Sequence, residues 1–149
     1  MFNTNTQQVD IFEKAMKTIV EGVMEGFNGT VFAYGQTSSG KTHTMTGIID
    51  STEQRGVIPR MVKFIFEKIG NSPSEIEFSV KVSMIEIYME KIRDLLDPTK
   101  TNLKVHEDKA KGIYIGDVTE TYVGEETEVY DIMKLGNDNR SIGYTDMNA

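Results

Sequence analysis

The fold is decided by the stretch Gly35-Gln36-Thr37-Ser38-Ser39-Gly40-Lys41-Thr42, which satisfies in full the pattern G-x-x-x-x-G-K-[S/T] of a phosphate-binding loop. Glycine at the two fixed positions permits backbone angles and close approaches that a Cβ would forbid. Successive N–H groups can then turn inward and form a nest for phosphate oxygens. In such a loop Lys41 supplies an ammonium to the β- and γ-phosphates, and the Thr42 hydroxyl is placed to bind Mg²⁺.

The residues on either side of this loop provide the context that the pattern needs. Thr30–Tyr34 is a short apolar run with β-branched and aromatic residues, which predicts a strand buried on both faces of a parallel sheet. Lys41–Met45 can begin a helix directly after the loop. The alternative, a glycine-rich surface turn that happens to hold a lysine, is disfavoured because strand, loop and helix follow in the expected order.

Further from the loop, helical and strand patterns alternate. Apolar residues at steps of three and four predict one helix over residues 7–27, a second beginning near Pro59, and a third over Glu125–Asn139. The apolar stripe of the first helix consists of Val9, Phe12, Met16, Ile19, Val20, Val23 and Phe27. Alternation over residues 76–84, from which the strand pattern continues through Ile85 and Ile87 to about Tyr88, predicts a strand, and shorter strands are expected within 101–123. This order favours an α/β fold.

Composition excludes several classes of protein. The 149 residues suit one domain, and the absence of cysteine excludes disulfides and thiolate metal sites. No apolar run approaches the length of a membrane span. A net charge of −7 argues against a surface that coats nucleic acid, so an acidic filament would need a local basic patch on this chain.

Beyond the generic loop, the run Gly29–Met45 resembles the nucleotide-binding signature of the kinesins. Other segments resemble that family in the same order and spacing, so that the similarity covers nearly the whole chain and is greatest to conventional kinesin heavy chains; these segments are Gly56–Arg60, Glu86–Tyr88, Ile92–Leu96, Leu103–Asp108 and Asn139-Arg140. The resemblance implies a three-layer P-loop NTPase-type α/β sheet with helices on both faces. It also implies a cytoplasmic, cytoskeletal, microtubule-stimulated ATPase that uses ATP and Mg²⁺ and moves along microtubules.

His43 follows the candidate magnesium threonine directly. By position alone, its imidazole could face solvent, the core or a bound nucleotide, and a lone histidine usually has a structural role. The resemblance to kinesins places this residue beside the adenine ring. His43 therefore joins Gly35–Thr42 as a candidate nucleotide-binding residue.

A locally basic stretch lies in the second half of this acidic chain, at Lys91, Arg93, Lys104, His106, Lys109 and Lys111. The charge pattern alone favours a solvated face with scattered lysines. In kinesins the corresponding loop and strand pair touches β-tubulin. The resemblance thus makes Lys91, His106 and Lys111 candidate microtubule contacts.

Two sequence stretches that the family uses for hydrolysis, N-x-x-S-S-R-S-H and D-L-A-G-S-E, do not occur in the chain. We therefore expect residues 1–149 to be a partial motor domain, without the first strand, the switch regions or the neck, and with dimerisation left to regions outside it. No catalytic residue is assigned. Two interpretations stay open: the ATP-binding portion of a motor ATPase, or a nucleotide-binding fragment that does not hydrolyse or move by itself. A small kinase or GTPase is disfavoured because no guanine-reading N-K-x-D occurs.

Overall fold

The computed structural model describes residues 2–3, 5–110 and 112–145, with side chains described as far as residue 140. The chain divides into two units, Met1–Glu77 and Phe78–Ala149. The first unit is helical and carries the glycine-rich loop, whereas the second contains the β-strands and one long helix. None of the described helices is both long and apolar enough to cross a membrane.

The first unit opens with a helix in three consecutive pieces, which confirms the helix predicted over residues 7–27; they are α1 (Gln8–Ile11), a π-helical turn (Phe12–Met16) and α2 (Lys17–Met24). The π turn adds a residue to the helical repeat, so the buried stripe does not follow a regular 3.6-residue period. Phe12 and Val20 are the buried apolar residues of this helix. Val9 and Val23, which the periodicity also assigned to the stripe, are 41% exposed.

Two further helices flank the loops of the first unit: α3 (Lys41–Met45) and α4 (Val57–Gly70). Both agree with the sequence prediction. The start of α4 is buried at Val57 and Pro59, and a proline is tolerated there because the first turn of a helix has no intrahelical N–H bonds to lose. Phe64 of α4 packs edge-to-face on Phe12, with ring centroids 5.9 Å apart and planes at 71°. This aromatic pair joins the first helix to α4.

The run Thr30–Tyr34 does not form the buried strand that was predicted. Phe32 and Tyr34 are 82% and 97% exposed. A strand of a parallel sheet is buried only when neighbouring strands pair with its edges and helices cover its faces. Among the described residues no strand pairs with this run, so Phe32 and Tyr34 remain exposed and the prediction was wrong for this segment.

The described residues of the second unit form seven short strands in three antiparallel sheets; the strands are β1 (Val80–Val82), β2 (Ile85–Tyr88), β3 (Lys91–Asp94), β4 (Thr101–Leu103), β5 (Val105–Asp108), β6 (Gly112–Ile115) and β7 (Thr121–Val123). Their orders are β1-β7, β2-β3-β4 and β5-β6. The alternating run 76–88 is therefore divided between two sheets, because β1 pairs with β7 while β2 pairs with β3. Between them, the carbonyl of Met84 accepts a hydrogen bond of 2.9 Å from the Leu95 N–H.

A long helix, α5 (Glu126–Thr145), follows the last strand. It confirms the helix predicted over Glu125–Asn139 and extends beyond it. Val129 and Met133 are buried along one side of α5. One turn and a half later the side-chain amide of Asn139 donates to the carbonyl of Leu95 at 2.6 Å, which ties the helix to the end of the β2-β3 hairpin.

The carboxylate of Asp94 lies at the centre of the second unit and is only 1% exposed. One oxygen accepts the N–H groups of Leu96 at 2.8 Å and Asp97 at 3.1 Å, and the other accepts the Thr119 N–H at 2.6 Å. Burial by itself raises the pKa of Asp94, but these hydrogen bonds outweigh it and hold the pKa below its ordinary value of 3.8. A buried carboxylate thus joins two loops that are distant in sequence.

Candidate functional site

The glycine-rich loop of the first unit connects the extended run 30–34 to α3. Gly40 has φ 90° and ψ 11°, and it directly precedes the first residue of the helix, Lys41. This left-handed conformation is the one that glycine adopts at little cost. Ser38 also has a positive φ, of 66°. Two left-handed residues within three positions turn the chain sharply into the helix.

Lys41 closes this loop on itself. Its Nζ donates to the carbonyl oxygens of Gly35 at 2.7 Å and Gln36 at 2.6 Å. A Cβ on Gly35 would lie 2.5 Å from the Ser39 Oγ and 3.3 Å from the Ser39 Cβ, so a larger residue at position 35 would force the Ser39 side chain to move. Both of the partners of the Lys41 ammonium are neutral carbonyls, which do not neutralise its positive charge.

The remaining loop residues lie at the surface. Gln36, Thr37, Ser38 and Ser39 are exposed, as is Thr42. The carbonyl of Thr42 accepts the N–H groups of Thr46 and Gly47 at 2.8 and 3.0 Å, which anchors its backbone in α3. Mg²⁺ binds few protein oxygens and completes its shell with water and phosphate oxygens. One exposed hydroxyl, on the residue that follows Lys41 in the sequence, fits that donor set.

Gln8 of α1 contacts His43 of α3, although the two residues are 35 positions apart in the sequence. The Gln8 side-chain Nε2 donates to the His43 carbonyl at 2.7 Å and lies 3.1 Å from His43 Nδ1. Gln8 is 6% exposed, whereas His43 is exposed. Both residues line an open pocket of about 600 Å³, whose far wall is formed by the loop around Thr52–Gln54 and by Arg60.

Arg60 of α4 organises that far wall. Its guanidinium donates to the carbonyls of Arg55, Thr52 and Glu53 at 3.0, 2.9 and 3.1 Å. The planar, multidentate guanidinium suits three carbonyls in a bent loop better than a lysine would. Arg60 lies in the segment Gly56–Arg60, which resembles the kinesins, but its sequence position alone indicated no role for it.

Sequence reasoning missed Gln8 as part of the site. One weak signal was available: Gln8 stands four residues before the buried Phe12, which places a polar side chain on the same face of the helix. His43, 35 positions away, gives no local sign of the contact. The hydrogen bond could therefore be found only in the folded chain.

The candidate filament contacts lie in the second unit, in different sheets. Lys91 is an exposed residue of β3, and His106 is an exposed residue of β5 whose ring stacks on Tyr114 at 5.5 Å and 24°. Lys111 falls outside the described residues. Of the other basic residues, Arg93 pairs with Glu86 at 3.9 Å, and the Lys104 Nζ donates to Asn102 at 3.2 Å.

The loop closed around its own lysine, followed at once by a threonine in the first turn of a helix, defines the P-loop class of proteins. A family model described as "Kinesin motor domain" matches residues 1–149. The chain belongs to the kinesin motor domain family. It is similar to a solved structure described as that of a fast kinesin, with a TM-score of 0.95 and 49% identity over 99% of this chain and 42% of that one. This similarity confirms the predicted incomplete α/β fold of the kinesin motor type.

Curated relatives agree with the family model. The chain is 56% identical over its full length to a kinesin heavy chain of Syncephalastrum racemosum, of which it covers 16%. It is 50% identical to kinesin-related protein 3 of Dictyostelium discoideum, of which it covers 13%. A kinesin heavy chain of Drosophila melanogaster is 49% identical over 99% of this chain, which corresponds to 15% of that protein. The chain thus spans less than one fifth of the length of these relatives.

Proposed function

We propose that this chain is the ATP-binding portion of a cytoplasmic, microtubule-based motor that couples ATP hydrolysis to movement along the filament. One observation carries the proposal: the complete phosphate-binding loop, closed around a lysine whose partners are neutral carbonyls. Membership of the kinesin family supports the proposed filament and the proposed motor function. The switch stretches that the family uses for hydrolysis do not occur in the sequence, so the alternative is a fragment that binds the nucleotide without turnover of its own.

In this proposal Lys41 exchanges the carbonyls of Gly35 and Gln36 for the β- and γ-phosphate oxygens of ATP. Charge-assisted hydrogen bonds to phosphate are stronger than those to neutral carbonyls, so the exchange is favourable. The exposed hydroxyls of Thr37, Ser38 and Ser39 lie in the same loop and are available to the same phosphates, whereas the Ser39 N–H donates to the Gln36 carbonyl at 3.2 Å. Mg²⁺ held by Thr42 would neutralise phosphate charge. His43 would contact the adenine.

A titration with a fluorescent ATP analogue tests this assignment. We expect Lys41→Ala to remove charge-assisted bonds that together contribute about 1.5–3 kcal/mol, which weakens binding by roughly 10- to 150-fold. The matched control is Lys63→Ala, because Lys63 is an exposed lysine of the same unit, 3.6 Å from Glu67. Equal affinity of the Lys41 variant and the wild type would refute the phosphate-loop assignment. Turnover measured with and without microtubules separates the motor ATPase from the binding fragment.

The proposed tubulin contact comprises Lys91, His106 and Lys111. Its support is the resemblance to kinesins, together with the exposure of Lys91 and His106 on short strands of an otherwise acidic chain. Cosedimentation with microtubules should weaken for the double variant Lys91→Ala/His106→Ala, and binding of the wild type should fall as salt rises. Lys134→Ala, at an exposed lysine of α5, is the control. No difference between the double variant and this control would exclude the contact.

A further inference from the structure

We infer that Gln8 is a positioning residue for the phosphate-binding loop, because its side-chain amide holds the carboxyl-terminal end of α3, the helix that begins with Lys41 and Thr42. The inference rests on the proposed function, since it concerns the loop to which that proposal assigns the ATP phosphates. The contact that carries it joins Gln8 Nε2 to the His43 carbonyl oxygen at 2.7 Å.

The end of α3 lacks the backbone cap that a helix of this kind ordinarily has. α3 has only five residues, and an isolated helix of that length is not stable in water. Gly47 follows its end with a left-handed φ of 61°. In the usual left-handed cap, the N–H of this glycine would donate to the carbonyl four residues back, which is that of His43. Here it donates to the Thr42 carbonyl instead, at 3.0 Å.

The His43 carbonyl therefore depends on a donor from outside the helix. No backbone N–H in the described part of the chain donates to it, and the Gln8 amide supplies the hydrogen bond. The same amide nitrogen lies 3.1 Å from Nδ1 and 3.5 Å from Nε2 of the His43 ring, so it stands over the ring and not on the lone pair of one nitrogen. The bond to the carbonyl is thus the directional contact between the two residues.

The burial of Gln8 shows what the amide contributes. Gln8 is 6% exposed, and its Oε1 is buried with no hydrogen-bond partner among the described residues. An unpaired buried amide oxygen costs free energy that a methionine of similar size would avoid. Packing alone therefore favours methionine at this position. The advantage of glutamine over methionine is the hydrogen bond that its NH₂ donates to α3.

This bond acts close to the phosphate-binding residues. A helix rises 1.5 Å per residue, so His43 lies within about 5 Å of Gly40 along the axis of α3. The Thr44 N–H donates to the Gly40 carbonyl at 2.9 Å, which joins the first turn of α3 to the loop. A helix that is fixed at its far end restricts the loop before a ligand arrives. Less conformational freedom is then lost when phosphate oxygens bind.

Binding of inorganic triphosphate and of Mg-ATP to the full chain tests the inference. Gln8→Met removes the donor and also the unpaired oxygen. We expect it to weaken both ligands alike by about 2- to 10-fold, the range for one neutral hydrogen bond, while the unfolding temperature is unchanged or higher. Gln8→Glu, which turns an acceptor toward the His43 carbonyl, should lose more affinity. The control is Gln7→Met, because Gln7 is exposed and its side chain makes no capping bond.

Amide hydrogen exchange without nucleotide provides a second readout. The Thr44 N–H should exchange about 2- to 10-fold faster in Gln8→Met than in the wild type or in Gln7→Met. An unchanged exchange rate, an unchanged triphosphate affinity, or a loss of affinity that only accompanies a lower unfolding temperature would overturn the inference. If the wild type bound neither ligand, the proposed function would fail, and exchange at Thr44 would still decide whether Gln8 holds α3. Gln8→Asn, whose amide is too short to reach, gives the same comparison if Gln8→Met does not fold.

Discussion

The substitution Asp94→Asn removes one charge and one acceptor from the buried carboxylate of the second unit while keeping its shape. Asparagine can keep its amide oxygen toward Leu96 and Asp97, whose N–H groups lie 2.8 and 3.1 Å from one oxygen of Asp94. Its NH₂ then faces the N–H of Thr119, which lies 2.6 Å from the other oxygen. Two donors would meet at that point, and the opposite orientation loses two bonds instead of one.

The expected cost follows from these three bonds. A hydrogen bond to a charged group contributes about 1.5–3 kcal/mol, which is lost at Thr119. The two remaining bonds change from charge-assisted to neutral, and each loses about 0.5–1.5 kcal/mol. We therefore expect Asp94→Asn to lower the free energy of unfolding by about 2.5–6 kcal/mol, a large fraction of the stability of a small unit.

Urea unfolding at pH 7, followed by circular dichroism, measures this difference, and amide exchange at Thr119 locates it. The matched control is Asp97→Asn in the same loop, where the carboxylate is partly exposed, accepts the N–H and hydroxyl of Thr99 and lies 3.9 Å from the Lys100 ammonium. We expect the control to cost less than about 1 kcal/mol. Equal midpoints for the two variants, or an unchanged exchange rate at Thr119, would refute the role assigned to Asp94.

The difference in unfolding free energy between the wild type and Asp94→Asn should depend on pH in one direction. Because the pKa of Asp94 is lowered in the folded state, its contribution to stability is fully present above the ordinary carboxyl pKa of 3.8 and is lost as pH falls through the lower folded pKa. The stability gap between the wild type and Asp94→Asn should therefore be constant near neutral pH and should narrow in acid below about pH 4. A gap that widens in acid would contradict this account.

Two further predictions concern the first unit. A Cβ on Gly56 would lie 2.5 Å from the carbonyl oxygen of Met45, a backbone atom that cannot easily move, so Gly56→Ala should destabilise the unit by about 1–3 kcal/mol. Gly70→Ala, at the other end of the same helix and with nothing within 4 Å, should be neutral or slightly stabilising in the same thermal melt. Arg60→Lys replaces a guanidinium that bonds three loop carbonyls, so proteolysis at Glu53 by a glutamate-specific protease should be faster. An unchanged cleavage rate would show that these bonds do not hold the loop.

Local patterns predicted the helices well, because their signal is contained within each segment. The steps of three and four in the first helix and in α4 reflect faces that pack on each other through Phe12 and Phe64. The π turn at Phe12–Met16 was not predictable from this period, since it shifts the phase of the stripe without changing the residue types. The predicted stripe therefore included Val9 and Val23, which are 41% exposed.

Predictions that depended on distant partners were less successful. An apolar, β-branched run such as Thr30–Tyr34 indicates a preferred environment, but pairing decides whether a strand forms. In the same way, the alternation over 76–88 predicted strand structure and could not reveal that its halves pair with different strands. The sequence could indicate a candidate phosphate-binding loop because the chemistry of that motif lies in eight consecutive residues. It could not indicate Gln8, whose partner is 35 positions away.

The exposure of Phe32 and Tyr34 has a consequence for how substitutions at these two positions are scored. Side chains that are 82% and 97% accessible contribute little to the stability of the chain that carries them. A mutational survey that selects for folded chain should therefore accept serine or lysine at both positions about as readily as the aromatic residues. Tolerance in such a survey would show that packing among the described residues places little constraint on these two positions.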